Sequence, residues 1–457
     1  MGRWTSRVPT LTYPAAVRAL QERGRFGVRL GLARTRALLG ALDNPQLRFR
    51  GALVAGTNGK GSVIALASSA LRAGGLRVGE TPKPHLVSYR ERAQIDGHPI
   101  PAGDFARLVA GVLSVAARIP SRLGEPTEFE LLTAVIFSWF AEEGIDVALV
   151  EVGLGGRLDA THTWDGGVAV VTNVELDHMD RLGATIPLIA REKAAIIMRG
   201  DEAVTGAQGE GLAVVRRRAR SLGVHLREVS QAPVLSLDRD GIVVDLHAMG
   251  PTRIGLRGRH QAANAAVADA TLDALATVGI ATATLDARRA GFLSARWPGR
   301  LELIDANGRD VLLDGAHNPA GAAALAQALD DLGPYLRGPA GSAAPLTLLM
   351  GVMADKDAAG IVRALAAAVT LRSARIICTR LDLGRALPAD ELAAHWRRSL
   401  PNATISVEPD VGRALDRALA DAQGPVVVSG SLYLVGAVRA RLVDDPELRD
   451  PEETETG

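Results

Sequence analysis

The segment Gly56-Thr-Asn-Gly-Lys-Gly-Ser62 holds the most concentrated chemistry in the chain. It follows a short apolar run and opens a helical pattern. The amides of a glycine-rich turn and a helix N-terminus can then cradle phosphate while Lys60 reaches the terminal phosphates. This is an ATP site, with Asn58, Gly59, Lys60, Gly61 and Ser62 as contacts. The usual loop carries Ser or Thr directly after the lysine, whereas here Gly61 intervenes before Ser62. The basic residues are almost all arginine, and the lysines are Lys60, Lys83, Lys193 and Lys356. Arginine serves most surface and ion-pair roles. A lysine kept in that background points to chemistry needing a compact ammonium or a modifiable amine, with chance survival as the plain alternative.

These residues need elements to hold them. Short apolar runs alternate with helical periodicity, which favours βαβ units and a parallel sheet covered on both faces. Strands are expected at 52–55, 147–152, 168–173 and 203–206, and helices at 62–73, 129–142 and 186–197. Glu151 ends one of these strands and His178 lies just past the next, so both can project at the carboxyl edge of the sheet, where open α/β folds bind ligands. Residues 234–248 read as a hairpin turning at Asp238-Arg-Asp-Gly241, and 261–275 as an alanine-rich helix. A proline and a glycine in Trp297-Pro-Gly299 interrupt the pattern and suggest a boundary. A second α/β series follows, with strands at 311–314, 346–352, 374–379 and 425–429, helices at 320–329 and 358–369, and a last helix from Leu432. It reads as a smaller doubly wound domain. Residues 338–345 read as a flexible surface insertion, and the acidic stretch from Val443 as disordered.

Bulk properties exclude several classes. A chain of 457 residues suggests two or three domains. With 47% hydrophobic and 23% charged residues, and 52 basic against 51 acidic side chains, the balance is that of an ordinary soluble protein and does not imply nucleic acid. No window approaches the roughly 20 apolar residues of a membrane span, and the first residues do not form a signal-peptide core. A cytoplasmic protein is expected. Cys378, in the apolar run Arg375-Ile-Ile-Cys-Thr379, reads as a small buried strand residue.

The loop Gly-Thr-Asn-Gly-Lys-Gly-Ser resembles the ATP loop of the Mur ligases and of folylpolyglutamate and dihydrofolate synthases. Downstream, Thr127-Glu-Phe-Glu130, Glu151-Val-Gly-Leu-Gly-Gly-Arg-Leu-Asp-Ala160, Leu176-Asp-His178, Arg191-Glu-Lys193, Trp297-Pro-Gly-Arg300, Leu313-Asp-Gly-Ala-His-Asn-Pro319 and Ser429-Gly-Ser431 look like signatures of the folate branch, in its order. The resemblance runs from about Leu30 to the last helix. It implies a P-loop nucleotide-binding parallel-sheet domain followed by a smaller doubly wound, Rossmann-like Mur-ligase C-terminal domain. The corresponding expectation is residues 1–296 for ATP and pteroate binding, 297–442 for the glutamate ligase domain, and 443–457 for the tail.

The same resemblance implies an activity. ATP phosphorylates a dihydropteroate or folate carboxylate, and the amine of L-glutamate attacks the acyl phosphate. The expected cofactors are ATP and Mg2+, with two ions, and a carbamate on Lys193; the substrates are small molecules and the chain is a monomer. Glu151 and His178 become metal ligands. Asn264, Arg300 and Asp314 become ATP contacts, with His317 beside the phosphates, and Arg300 reaches the nucleotide as the domains close. Thr127, Glu128, Phe129, Leu158, Asp159 and Ala160 become pteroate contacts, with Lys193 near the carboxylate. Lys60, Lys193 and His317 are the candidate catalytic side chains. Plainer roles exist for several: a helix N-cap or an ion pair for Glu151, a loop imidazole for His178, a solvated helix face for Glu192 and Lys193, a helix start for His317-Asn318-Pro319 and core packing for Phe129.

Three positions depart from the family pattern. Lys83-Pro84-His85-Leu86 stands where Ser-Pro-His-Leu is usual, and the serine hydroxyl is the one that approaches magnesium; a protonated lysine cannot ligate a cation. Glu175 stands where glycine is usual, and His162 where asparagine is usual. Two alternatives stay open: a Mur-type ligase for another acceptor, and an ATP-binding homologue without catalysis.

Overall fold

A computed structural model describes residues 11–24, 31–342, 344–421 and 423–452. Compact units divide as residues 1–230, 266–291 and 446–457 in the first, and 231–265 and 292–445 in the second.

The strands, in chain order, are β1 (Gly51–Ala55), β2 (Val78–Thr81), β3 (Gln94–Ile95), β4 (His98–Pro99), β5 (Val147–Glu151), β6 (Gly167–Val171), β7 (Glu202–Thr205) and β8 (His225–Glu228) in the first unit. In the second they are β9 (Val234–Asp238), β10 (Gly241–Leu246), β11 (Gly250–Ile254), β12 (Glu302–Asp305), β13 (Asp310–Leu313), β14 (Thr347–Met350), β15 (Arg375–Cys378), β16 (Thr404–Val407) and β17 (Val426–Ser429).

Among the described residues the first unit forms an eight-stranded sheet in the order β4-β3-β2-β5-β1-β6-β7-β8. From β2 to β8 the neighbours are parallel; the short β3 and β4 are antiparallel. Central strands β1 and β5 are buried on both faces, which accounts for their continuous apolar sequences. The helix Glu128–Glu143 is apolar nearly all round because residues 130–140 are buried. Phe49 locks it edge-to-face, with ring centroids 5.7 Å from Phe137 and 5.8 Å from Phe140, and a tilted contact with Trp164 at 5.6 Å.

The second unit holds a three-stranded antiparallel sheet, β11-β10-β9, and a six-stranded sheet in the order β12-β13-β17-β14-β15-β16. In the latter only β12 runs antiparallel among the described strands. Both units are therefore α/β, as the periodicity implies. Cys378 is fully buried in β15, and burial pushes its thiol up to about 12, away from nucleophilic chemistry.

Residues 231–265, which carry the three-stranded sheet, fall in the second compact unit, where Arg239 pairs with buried Asp310 and Arg257 donates to the carbonyls of Arg239 and Leu301. One feature differs from the sequence expectation. The tail from Val443 is ordered as far as it is described. Ser88 Oγ and Asp450 Oδ1 are 2.6 Å apart, Arg90 donates to the carbonyls of Glu447 and Arg449, and His98 meets Glu447 at 2.9 Å. Its negative charge is matched by fixed partners. The insertion at 338–345 contains a short 3-10 turn, Pro339–Gly341, and residue 343 lies outside the described residues, as do 453–457.

Candidate active site

The phosphate loop sits between β1 and the helix Lys60–Ala73, which begins two residues before the expected start. Gly59 precedes the helix at φ 82°, a conformation open to glycine at little cost. Gly56 has no room for a side chain, because a Cβ there would collide with the hydroxyl of Thr172. The loop is held from the end of β6. Asn173 Oδ1 accepts from Thr57 N at 3.2 Å and Asn58 N at 2.8 Å, and Thr172 Oγ1 donates to Asn58 O at 2.6 Å. Thr57 Oγ1 and the Glu175 backbone exchange two further bonds, at 3.1 and 3.0 Å. Glu175 thus serves through its main chain, so the departure from glycine does not disturb the loop.

Lys60 and Lys193 converge on one carbonyl. Lys60 Nζ donates to Gly56 O at 3.1 Å and Thr57 O at 3.2 Å, while Lys193 Nζ donates to Gly56 O at 2.8 Å. Lys193 is buried at 5% exposure, which removes the solvated-helix alternative. Desolvation, and then the charge of Lys60, lower its pKa to about 7, so a sizeable neutral fraction exists at physiological pH. The glycine run explains how Lys193 comes so close. A side chain at Gly156 would strike the Glu192 carbonyl, and Arg157 N donates to that same oxygen at 2.9 Å.

Glu151 ends β5 with its carboxylate buried, Oε1 at 3.9 Å from Lys60 Nζ. Its Oε2 accepts from Lys83 N at 3.1 Å, and Thr81 Oγ1 accepts from its backbone N–H at 2.8 Å. The Lys83 ammonium donates to Glu151 O and lies 4.4 Å from the Phe129 ring centroid. Burial lowers Lys83 to about 8, opposed by Asp159 and Glu151, which leaves it mainly a cation at neutral pH. Phe129 is half-buried, with the ammonium over its ring, so it is not a core residue. His178 is exposed at φ 48° and heads the short helix Met179–Leu182. A hard carboxylate and an imidazole suit one Mg2+. Among the described residues no group of three acidic, histidine or cysteine side chains assembles for a metal.

Several expected pteroate contacts already have structural partners. Thr127 caps the helix Glu128–Glu143 in a capping box with Glu130, and Glu128 accepts from Tyr89 OH at 3.0 Å. Asp159 accepts from Gly153 N, Leu154 N and Thr161 N at 3.0, 2.9 and 3.0 Å, and so shapes the 153–161 loop. Leu158 is half-buried and Ala160 buried on that loop. His162 Nδ1 lies 3.1 Å from Arg157 O, a contact to the same loop.

In the second unit Asp314 follows β13. Its carboxylate accepts from Leu301 N at 3.0 Å and Ala316 N at 2.9 Å; burial raises its pKa and Arg300 opposes the rise. Arg300 donates to Gly299 O at 3.1 Å, and His317 Nδ1 is 2.7 Å from Gly315 O. Asn318 caps the helix Pro319–Leu332, so the helix-start reading of this motif holds. Asn264 donates to Gln261 at 2.8 Å near the start of the helix Gln261–Thr277. Sequence reasoning missed Asn173 and Thr172. They stood inside an expected strand, and the signal was a polar pair ending an otherwise apolar run.

Comparison with known proteins agrees with this arrangement. The Mur ligase middle domain matches residues 54–272, and the Mur ligase glutamate ligase domain matches residues 299–432. A dihydrofolate synthase/folylpolyglutamate synthase of Bacillus subtilis (strain 168) is 32% identical, over 93% of this chain and 97% of the relative. A protein of the same description from Mycobacterium tuberculosis is 35% identical, over 91% of each chain. A crystal structure of Mycobacterium tuberculosis folylpolyglutamate synthase complexed with ADP and AMPPCP superposes with a TM-score of 0.81 at 33% identity, covering 94% of this chain and 100% of that one. With the phosphate loop, the glycine run over Lys193 and both domains in place, the chain belongs to the folylpolyglutamate/dihydrofolate synthase family of Mur ligases.

Proposed function

We propose that this chain activates the carboxylate of a dihydropteroate or folate with the γ-phosphoryl group of ATP and passes the acyl group to the amine of L-glutamate. ATP-dependent ligation of glutamate to a folate is the activity of its family. The observation that carries the reading is the convergence of Lys60 and Lys193 on the Gly56 carbonyl beside Glu151. Phosphoryl transfer is mainly positioning and charge neutralisation. Lys60 takes the terminal phosphates, and the loop amides after Asn58, in the loop that Asn173 holds in place, take the remainder. A carboxylate oxygen attacks the γ-phosphorus as ADP leaves; the glutamate nitrogen then attacks the acyl carbon, phosphate leaves and the amine gives up its proton. Mg2+, held by Glu151 and His178, would supply Lewis-acid charge at the phosphates.

We assign Asn264, Arg300, Asp314 and His317 as nucleotide contacts of the second unit. Phe129, Leu158 and Ala160, with Thr127, Glu128 and Asp159 as framework, are assigned to the acceptor. A half-neutral buried amine is the form that reacts with CO2, which supports a carbamate on Lys193. The test is phosphate release from ATP with glutamate and either dihydropteroate or tetrahydrofolate. Acceptor-dependent release supports the ligase and names the acceptor; nucleotide binding without release overturns it. Lys193→Ala is expected to lose at least 100-fold in kcat, and wild-type activity to fall in bicarbonate-free buffer. Full activity without bicarbonate would remove the carbamate.

A further inference from the structure

Lys83 occupies a position that the reaction has not yet used. It follows β2, next in the sheet to β5, and is fixed at both ends. Its backbone N–H is bound to the Glu151 carboxylate, and its ammonium is bound to the Glu151 carbonyl above the Phe129 ring. Among the described residues no carboxylate lies within ion-pair distance of that ammonium; its hydrogen bond goes to a neutral carbonyl. The carboxylates of Asp159 and Glu151 act on it from beyond that distance, so its direct contacts are a carbonyl and a ring, and an anion brought by a ligand can take its remaining N–H donors.

The site indicates which anion. Lys60, on the phosphate side, faces Glu151 Oε1, while Lys83 is next to Glu151 Oε2 and the main chain, on the side of Phe129. Phe129 in turn sits against Gly153 and the Asp159 loop, where a Cβ on Gly153 would come within 2.8 Å of the ring. Resting on the ligase reading above, we propose that Lys83 is a resident cation that binds the acceptor's carboxylate and the acyl phosphate formed from it, in place of a second divalent ion. The Glu151 carboxylate already lies beside one ammonium and accepts from the main chain that carries another, so it is furnished for one metal ion and not two. A single ion with the nucleotide, plus Lys83, supplies the charge that two ions would.

The experiment uses the full chain with Mn2+ and the β,γ-methylene analogue of ATP. Bound Mn2+ is counted by electron paramagnetic resonance in wild type, Lys83→Ser and Lys83→Met. One ion per chain is expected in wild type and two in Lys83→Ser, whose phosphate release should also rise more steeply with free Mg2+. Two ions in wild type, or one in both proteins, would overturn the proposal. Lys83→Met should raise the KM for the acceptor at least tenfold and that for ATP less than threefold; the reverse pattern also overturns it. The wild-type ion count by itself needs no variant to fold and no acceptor, and two ions there overturn the proposal. A wild-type protein that binds one Mn2+ with the nucleotide but releases no phosphate with any acceptor would sink the ligase reading and, with it, the acceptor role given to Lys83.

Discussion

At the scale of single residues the nucleotide end of the site depends on groups that carry no motif of their own. Asn173 Oδ1 is the acceptor for two successive loop amides, Thr57 N and Asn58 N. Without it the loop still has the Thr57 bond to the Asn173 carbonyl, the Thr172 contact and the two Thr57–Glu175 bonds, but those two amides lose their shared acceptor. A net hydrogen bond contributes about 1 kcal/mol, about fivefold in affinity, so Asn173→Ala, which removes two, should weaken ATP binding roughly 30-fold while the strand it follows stays folded. Titration calorimetry with ATP checks this, and an unchanged affinity would mean the glycines alone set the loop. The same residue shows where sequence reading stops. Gly56, Gly59 and Lys60 are legible because only glycine tolerates the collision at Gly56 and the positive φ at Gly59, and because lysine is scarce. Asn173 acts through a contact with Asn58, 115 residues away in the chain, and the polar pair that ends its apolar run does not say what it holds.

At the scale of elements the capping box at Thr127 decides how the acceptor side is held. Thr127 Oγ1 accepts from Glu130 N, and the Glu130 carboxylate returns to Thr127 N at 2.8 Å while also taking Arg34 and Thr35. The helix that follows carries Phe129 in its first turn, so the cap fixes the ring under Lys83. Thr127→Ala should cost about 1 kcal/mol, seen as a lower thermal midpoint by roughly 2–4 °C, whereas Thr127→Ser should stay near wild type. Equal losses in the two variants would mean the methyl, and not the hydroxyl, is what matters. Elements of this kind were readable where the pattern was strong: β1, β5, β6 and β7 are continuous apolar runs and fall within two residues of expectation. β8 reads His225-Leu-Arg-Glu and is only partly buried at a sheet edge, so its composition gives no strand signal. The helices Ala389–Ser399 and Val411–Asp421 went unread although their apolar residues recur at helical spacing, as at Val411, Ala414, Leu415, Ala418 and Leu419, because charged residues interrupt every apolar run. β12 is a short antiparallel edge whose register follows from β13 and not from its own sequence.

At the scale of the whole molecule, stability against pH is a balance of buried groups with opposite signs. His260 is held down to about 4 by burial, with Arg300 adding to the shift. Between that value and the unfolded 6.5 the unfolded chain binds the extra proton, so this histidine makes stability fall as the pH drops through 6.5 toward 4. Asp201 behaves the other way. Burial, opposed by its bond from Met198 N and reinforced by Asp165, raises it to about 7. The folded chain then binds the extra proton above the unfolded value near 3.8, and this carboxyl makes stability fall as the pH rises toward 7. The two variants should therefore diverge. On acidification from pH 7.5 to 4.5, His260→Gln should gain on wild type by on the order of 2 kcal/mol, because it has no imidazole to charge. Asp201→Asn should gain on wild type over the opposite course, from pH 4.5 to 7.5, because it has no carboxyl to ionise. Urea denaturation midpoints at the two pH values test both. Parallel shifts in the two variants would mean that neither group sets the slope, and the pH response would then have to come from other buried groups: His85, with the sign of His260, and Glu80, Glu175, Asp269 and Asp314, with the sign of Asp201.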